Sequence, residues 1–441
     1  MTPRNDLVVS TQTIRRTCGD LSFPPLGRIT QEWDTHPIPP ADIPDDIATT
    51  LDALDFGSIP AGGDIALGVG SRGITNLPRL VESTVTSLKN RGYSPFVFPA
   101  MGSHGGATAE GQKAMLAELG VTPDRIGCEI KATMQTTEIG RTTDRDIPVV
   151  SDGIAVDADG ILLLNRIKPH TDYDGEIESG IAKMLVVGMG NQRGAQTAHT
   201  WAIDWSLSKM IPELATHLLD SLPILGGIAI IEDQRDETAI IEGIGPGNLL
   251  ERERTLQKRA AEMMPRLPFE SIDILILDQQ GKNISGQGID PNVTGRRPFA
   301  INEPEPATPE IKRIYVRSLT EETHGNAMGV GSADFIHQDL LAELESTDTV
   351  VNAITAGTVR GVRLPIVLES DEAALIAATS TVGITPTDEL RIVRARDTAH
   401  LETLAVSPVL LEEARTRDDC MVQSEPESVT FDDDGNFREL L

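Results

Sequence analysis

The chain has few aromatic residues, 3% of its 441 positions, and few lysines, nine against 29 arginines. Its three cysteines (Cys18, Cys128, Cys420) are far apart and odd in number. Such sparse aromatics leave little for stacking on nucleic-acid bases. The net charge of −29 opposes contact with phosphate backbones. The cysteines make neither a disulfide framework nor the close thiolate pairs of a zinc site, so a reducing cytoplasm is expected. No apolar run approaches the ~20 residues needed to span a bilayer. The first residues, MTPRNDLVVSTQTIRR, show no apolar stretch of a secretory leader. An acidic, lysine-poor surface keeps a protein soluble by self-repulsion and points to a salt-rich cytoplasm.

The chain does have alternation. Apolar strand-like runs at Asp64–Val69, Ser94–Phe98, Ile161–Ile167, Ile228–Ile231 and Ile272–Leu277 are separated by helix-length amphipathic segments. Further strands are expected at Ile314–Val316 and Leu390–Val393. Helices are expected at Leu77–Asn90, Ala109–Leu119, Ile181–Met189, Ser206–Leu219 and Leu249–Met264. This pattern predicts an α/β fold of two domains with mainly parallel sheets. The prolines at 265 and 268 mark the boundary, giving an N-terminal domain at 1–266 and a C-terminal domain at 267–441.

Four polar residues follow strands: Arg72, His104, His170 and Lys282. Open parallel sheets bind ligands at the carboxyl ends of their strands, so these residues are expected to converge there. Lys183 lies in the apolar run GIAKMLVVGMG, where an ammonium loses hydration and the amine becomes a nucleophile or attachment point. His170 follows Pro169 on a stiff post-strand loop, as a positioned acid/base requires. His104 lies in MGSHGGATAEGQ, whose glycines let backbone approach a ligand and whose following helix offers free N–H groups to an anion. A surface histidine in a helix-entry loop is the plainer reading there. His199 is expected on a helix beginning near Arg193, and imidazole is a common metal ligand. No HxxxH or HxH pair occurs, so a metal site needs distant histidines or a cofactor-borne metal. The Gly-rich segment 278–297 carries Lys282, Arg296 and Arg297, suited either to an anionic group or to a solvated surface loop.

Taken together, SRG (71–73), GSHGG (102–106), KPHTDYDG and ESGIAKM (within 168–184), His199, QQGKNISGQGIDPNVTGR (279–296) and LTEETHGNAMGVGSADF (319–335) resemble the nickel-pincer nucleotide-dependent lactate racemase family. The resemblance implies a racemase or epimerase of a 2-hydroxy acid, with cofactor and substrate in an interdomain cleft. It implies that Lys183 anchors the nucleotide and His199 ligates its nickel. His104 and His170 would be the acid/base pair, and Arg72, Gln279 and Lys282 would hold the substrate carboxylate and hydroxyl. The implied partners are a small 2-hydroxy acid and the enzymes that build and load the cofactor. Nucleic acid and membrane are not among them, and the oligomeric state stays open. Where lactate racemases carry Asp-x-Thr-Arg, this chain has Val69, Gly70, Ser71 and Arg72. The interval from His170 to Lys183 is also a few residues longer, through DYDGEIES, which points to a bulkier or more polar acid. The alternative is a hydrolase or lyase with His104, His170 and His199 on one zinc.

Overall fold

The computed structural model describes residues 5–71, 73–297 and 305–438, with backbone alone at Asn5 and Ile203. The chain forms two compact units, Thr35–Met264 and a second made of Met1–Asp34 with Pro265–Leu441. Both are α/β with mainly parallel sheets. Among the described residues no helix is long and apolar enough to cross a membrane.

In the Thr35–Met264 unit a five-stranded sheet runs in the order Ser94–Pro99, Asp64–Val69, Gly160–Arg166, Ile224–Glu232, Thr238–Ile244. The first four strands are parallel and the last is antiparallel. The central strands read as continuous apolar runs because both sheet faces are covered. Ile65, Leu67 and Leu162 pack on one side with helix Leu77–Asn90, while Ala66, Ile161 and Leu163 face the core that holds Ile181 and Leu185. A hairpin, Thr136–Arg141 with Pro148–Asp152, stands apart from this sheet.

The second unit holds a nine-stranded sheet. Val8–Val9, Ile366–Leu368, Phe335–His337, Glu310–Leu319, Ser271–Gln280 and Ile392–Ala395 run parallel; Thr403–Val406, Gly27–Gln31 and Cys420–Val422 complete it antiparallel. The sequence reading assigned residues 1–266 to one domain. The structure instead places Met1–Asp34 with the C-terminal residues, because Gly27–Gln31 is sandwiched between two strands of that sheet. Side by side on one sheet face, Arg317 grips Asp371 through Nε (2.7 Å) and Nη2 (2.9 Å), while Arg394 Nε reaches Asp278 at 2.9 Å. Asp278, Asp371 and Arg394 are buried and Arg317 half-buried, and the charges are paired, as burial requires.

Candidate active site

Three neighbouring strands of the Thr35–Met264 unit end in the loops that carry Ser71, His104 and His170. Beyond strand Gly160–Arg166, Lys168 and Ser179 exchange backbone bonds (3.0 and 3.3 Å) and close residues 168–179 into a loop. The buried carboxylate of Glu178 orders it from within. Oε2 accepts the N–H of His170 (2.5 Å) and Oε1 accepts that of Gly175 (3.2 Å). The Tyr173 hydroxyl donates to the Glu178 carbonyl at 2.8 Å. The loop is therefore held in place by its own glutamate and tyrosine.

Tyr173 is buried and joins two of the expected site residues. Its ring centroid lies 4.6 Å from that of His170, and the Lys183 ammonium sits 6.0 Å from the same ring. The Asp172 N–H donates to His170 Nδ1 at 3.0 Å, so the neutral imidazole carries its proton on Nε2.

Lys183 ends a short α-helical segment, Ile181–Lys183, which passes into a π-helical turn, Met184–Gly188, closed by Met189 N–H to Met184 O at 2.8 Å. The sequence reading expected one regular helix over 181–189. The difference has a tertiary cause: a Cβ on Gly188 would stand 2.6 Å from the Ala100 carbonyl, and Gly102 N–H donates to Gly188 O at 3.0 Å. π-Turns of this kind occur often at functional sites. The His104 loop is thereby tied to the turn that follows Lys183. Gln112, fully buried, donates to Gly102 O at 3.0 Å from the other side. His104 Nδ1 is hydrogen-bonded to the Ser71 hydroxyl. Arg72 lies outside the described residues.

His199 is on helix Asn191–Asp204, which starts two residues before the expected position. Its pKa is pushed below the usual histidine value, first by desolvation, then by the Lys183 ammonium, with Asp172 opposing. The residue is nonetheless exposed to solvent. A ring whose pKa is lowered in this way is neutral at pH 7 and, being exposed, is available as a ligand. The structure thus brings Lys183, Tyr173, Asp172 and His170 together, with His199 within electrostatic reach of Lys183 and Asp172. Among the described residues no three His, Cys, Asp or Glu are placed to hold one metal ion, so the three-histidine zinc site finds no geometric support.

Gln279 and Lys282 belong to the other unit, at and beyond the end of strand Ser271–Gln280. Gln279 Nε2 donates to Asp397 Oδ2 at 3.1 Å. A carboxylate only accepts, so Oε1 is the Gln279 atom left to meet a donor such as a hydroxyl. The Lys282 ammonium bonds to Asn352 Oδ1. Asp397, fully buried, also bonds the exposed His400 through Nδ1 at 2.8 Å. The sequence reading passed over Asp397 and His400, although their spacing of three in a post-strand loop was a usable signal. It also missed Glu253, whose carboxylate lies against the Lys183 segment.

Glu253 is fully buried on helix Leu249–Glu262, and burial raises its carboxyl pKa from 4.5 to about 7, against two backbone N–H bonds that lower it. The folded state then keeps a proton that the unfolded chain releases. The stability this contributes is complete below the unfolded value of 4.5 and lost as pH rises through about 7. At 1.36 kcal/mol per unit the loss amounts to roughly 3 kcal/mol. Glu253→Gln is neutral throughout, so urea unfolding between about pH 5 and pH 8 is expected to show that loss in the wild type and not in the variant.

No family model matches the sequence, and no curated protein matches it. Among solved structures the chain is similar to a Thermotoga maritima protein, with a TM-score of 0.50 and 11% identity over 84% of this chain and 99% of that one. It is also similar to the lactate racemase apoprotein from Thermoanaerobacterium thermosaccharolyticum, with a TM-score of 0.49 and 12% identity over 85% and 99% of the two chains. Identities this low speak to the fold alone: a mixed α/β protein with mainly parallel sheets.

Proposed function

We propose that the protein is a racemase or epimerase of a polar 2-hydroxy acid that works with a nickel-pincer nucleotide. The observation that carries this reading is the meeting of Lys183 and His170 at Tyr173, with His199 within electrostatic reach of Lys183, from segments that each resemble that enzyme family. The residues fit such a group: a lysine amine for attachment stands near a neutral imidazole, the form that ligates a metal. Lys183 would hold the nucleotide and His199 its nickel; when bound, the group supplies a hydride acceptor and donor. Nickel and nucleotide belong to this proposal and not to the fold comparison.

The chain's own work is on the proton and on binding. In this reading His104 and His170 hold and move the proton of the substrate hydroxyl, since imidazole, with an ordinary pKa of about 6.5, serves as acid or base near neutral pH. Ser71, bonded to His104 Nδ1, and Asp172, bonded to His170 Nδ1, orient the two rings. Arg72 and Lys282 are assigned to the carboxylate, and Gln279, through Oε1, to a hydroxyl. The loop ordered by Glu178 carries Asp172 and Asp174, acceptors suited to further hydroxyls, which favours a polyhydroxy acid over lactate.

The test is turnover of single stereoisomers. Protein co-expressed with cofactor-building enzymes is expected to convert a pure 2-hydroxy acid of the sugar-acid class into its C2 epimer, followed by chiral chromatography. Holo-protein carrying nickel but inert toward every 2-hydroxy acid in such a panel would overturn the reading.

A further inference from the structure

We propose that Glu253 is a positioning residue for Lys183: by holding the peptide two residues before it, the Glu253 carboxylate fixes where the lysine amine stands. Glu253 Oε2 accepts the Ala182 N–H at 3.0 Å, and the Ile181 N–H bonds the same carboxyl. From the opposite side, Asn165 Nδ2 donates to the Gly180 carbonyl at 2.8 Å. The peptides leading into Lys183 are therefore clamped between strand Gly160–Arg166 and helix Leu249–Glu262. No side chain of the segment itself caps it, and Gly180 offers none.

The arrangement is costly in a way that a helix needing only stability would avoid. Leu249–Glu262 has charged residues to spare, Glu251, Arg252 and Arg254 among them, yet it buries Glu253 completely. Oε1 has no hydrogen-bond partner among the described residues. An apolar side chain of similar size would remove that penalty and lose only the grip on Ile181 and Ala182. Gly180 is part of the same device. A Cβ there would lie 2.1 Å from Glu253 Oε1 and 2.8 Å from its carboxyl carbon, so only glycine admits the carboxylate. A group that must meet a cofactor at a fixed point gains from such support, since displacements near 1 Å are enough to spoil a site.

This inference rests on reading Lys183 as the anchor of a bound group, but its test needs no such group. Cofactor-free full-length protein is treated with an N-hydroxysuccinimide acetyl ester, and acetylation of each lysine is followed by peptide mass spectrometry. Gly180→Ala and Glu253→Ala are expected to raise the Lys183 rate about three- to tenfold, the scale of a lost backbone cap. Lys113 and Lys209 should keep their rates. Glu253→Gln retains an oxygen acceptor and is expected to restore the wild-type Lys183 rate. The proposal is overturned if Lys183 reacts alike in wild type and Gly180→Ala, or if Gln and Ala at 253 alter it equally. Gly180→Ala keeps the carboxylate, so it decides the matter should Glu253→Ala not fold. Failure here leaves the proposed reaction standing, and an inert holo-protein leaves this result standing.

Discussion

Lys183→Ala is expected to yield a folded protein that retains neither nucleotide nor nickel after co-expression with the cofactor-building enzymes. Lys183 is half-buried at the end of a segment whose other residues, Ile181 and Ala182, are core. Replacing it removes an amine and a flexible stem without opening a core cavity, so the thermal midpoint should move little. Loss of the group should be near total, because the attachment atom itself is gone. His199→Ala tests the metal separately. Its imidazole is exposed and its pKa is held below the usual histidine value, so its loss should remove nickel while sparing the fold. Intact mass gives the nucleotide and elemental analysis the nickel. Full nickel content in both variants would sink the assignment of these two residues.

The second large effect is kinetic. His170→Ala, and separately His104→Ala, are expected to lower turnover by about 10²–10⁴-fold while nucleotide and nickel remain bound. The two variants differ in what surrounds them. His170 is buried beside Tyr173, and its backbone N–H is held by Glu178; His104 stands on a glycine-rich loop, hydrogen-bonded to Ser71. Alanine at 170 opens space against the Tyr173 ring, so His170→Gln is the better companion for separating lost chemistry from lost packing. Wild-type turnover after either replacement would dismiss the histidine pair as proton carriers.

The strands were largely legible because apolar runs between turn residues need no distant partner to be recognised. Asp64–Val69 and helix Leu77–Asn90 occupy the residues expected of them. What the sequence hid was decided by tertiary contact. Nothing in GIAKMLVVGMG announces the π-turn at Met184–Gly188, which depends on Ala100 and Gly102 from another loop. Glu253 sits in LLERERTLQKRAAEMM, where it reads as one charge among many; its burial follows from packing against Ile181 and Ala182. Residues Gly27–Gln31 look like an ordinary short strand, and their partners stand some 370 residues away in sequence (Leu404↔Ile29).

That last pairing has a consequence for synthesis. Residues 35–264 form one continuous compact unit, whereas the other unit is interrupted by them. Chains fold as they emerge, N-terminal segments first. The unit bearing His104, His170, Lys183 and His199 can therefore finish while the ribosome is still adding the remainder. Gly27–Gln31 must wait, its edges unpaired, until Thr403–Val406 and Cys420–Val422 arrive on either side of it. A nascent chain stalled after residue 264 would carry an assembled lysine–histidine cluster and an orphan strand, which makes the first 34 residues the part most exposed to wrong pairing.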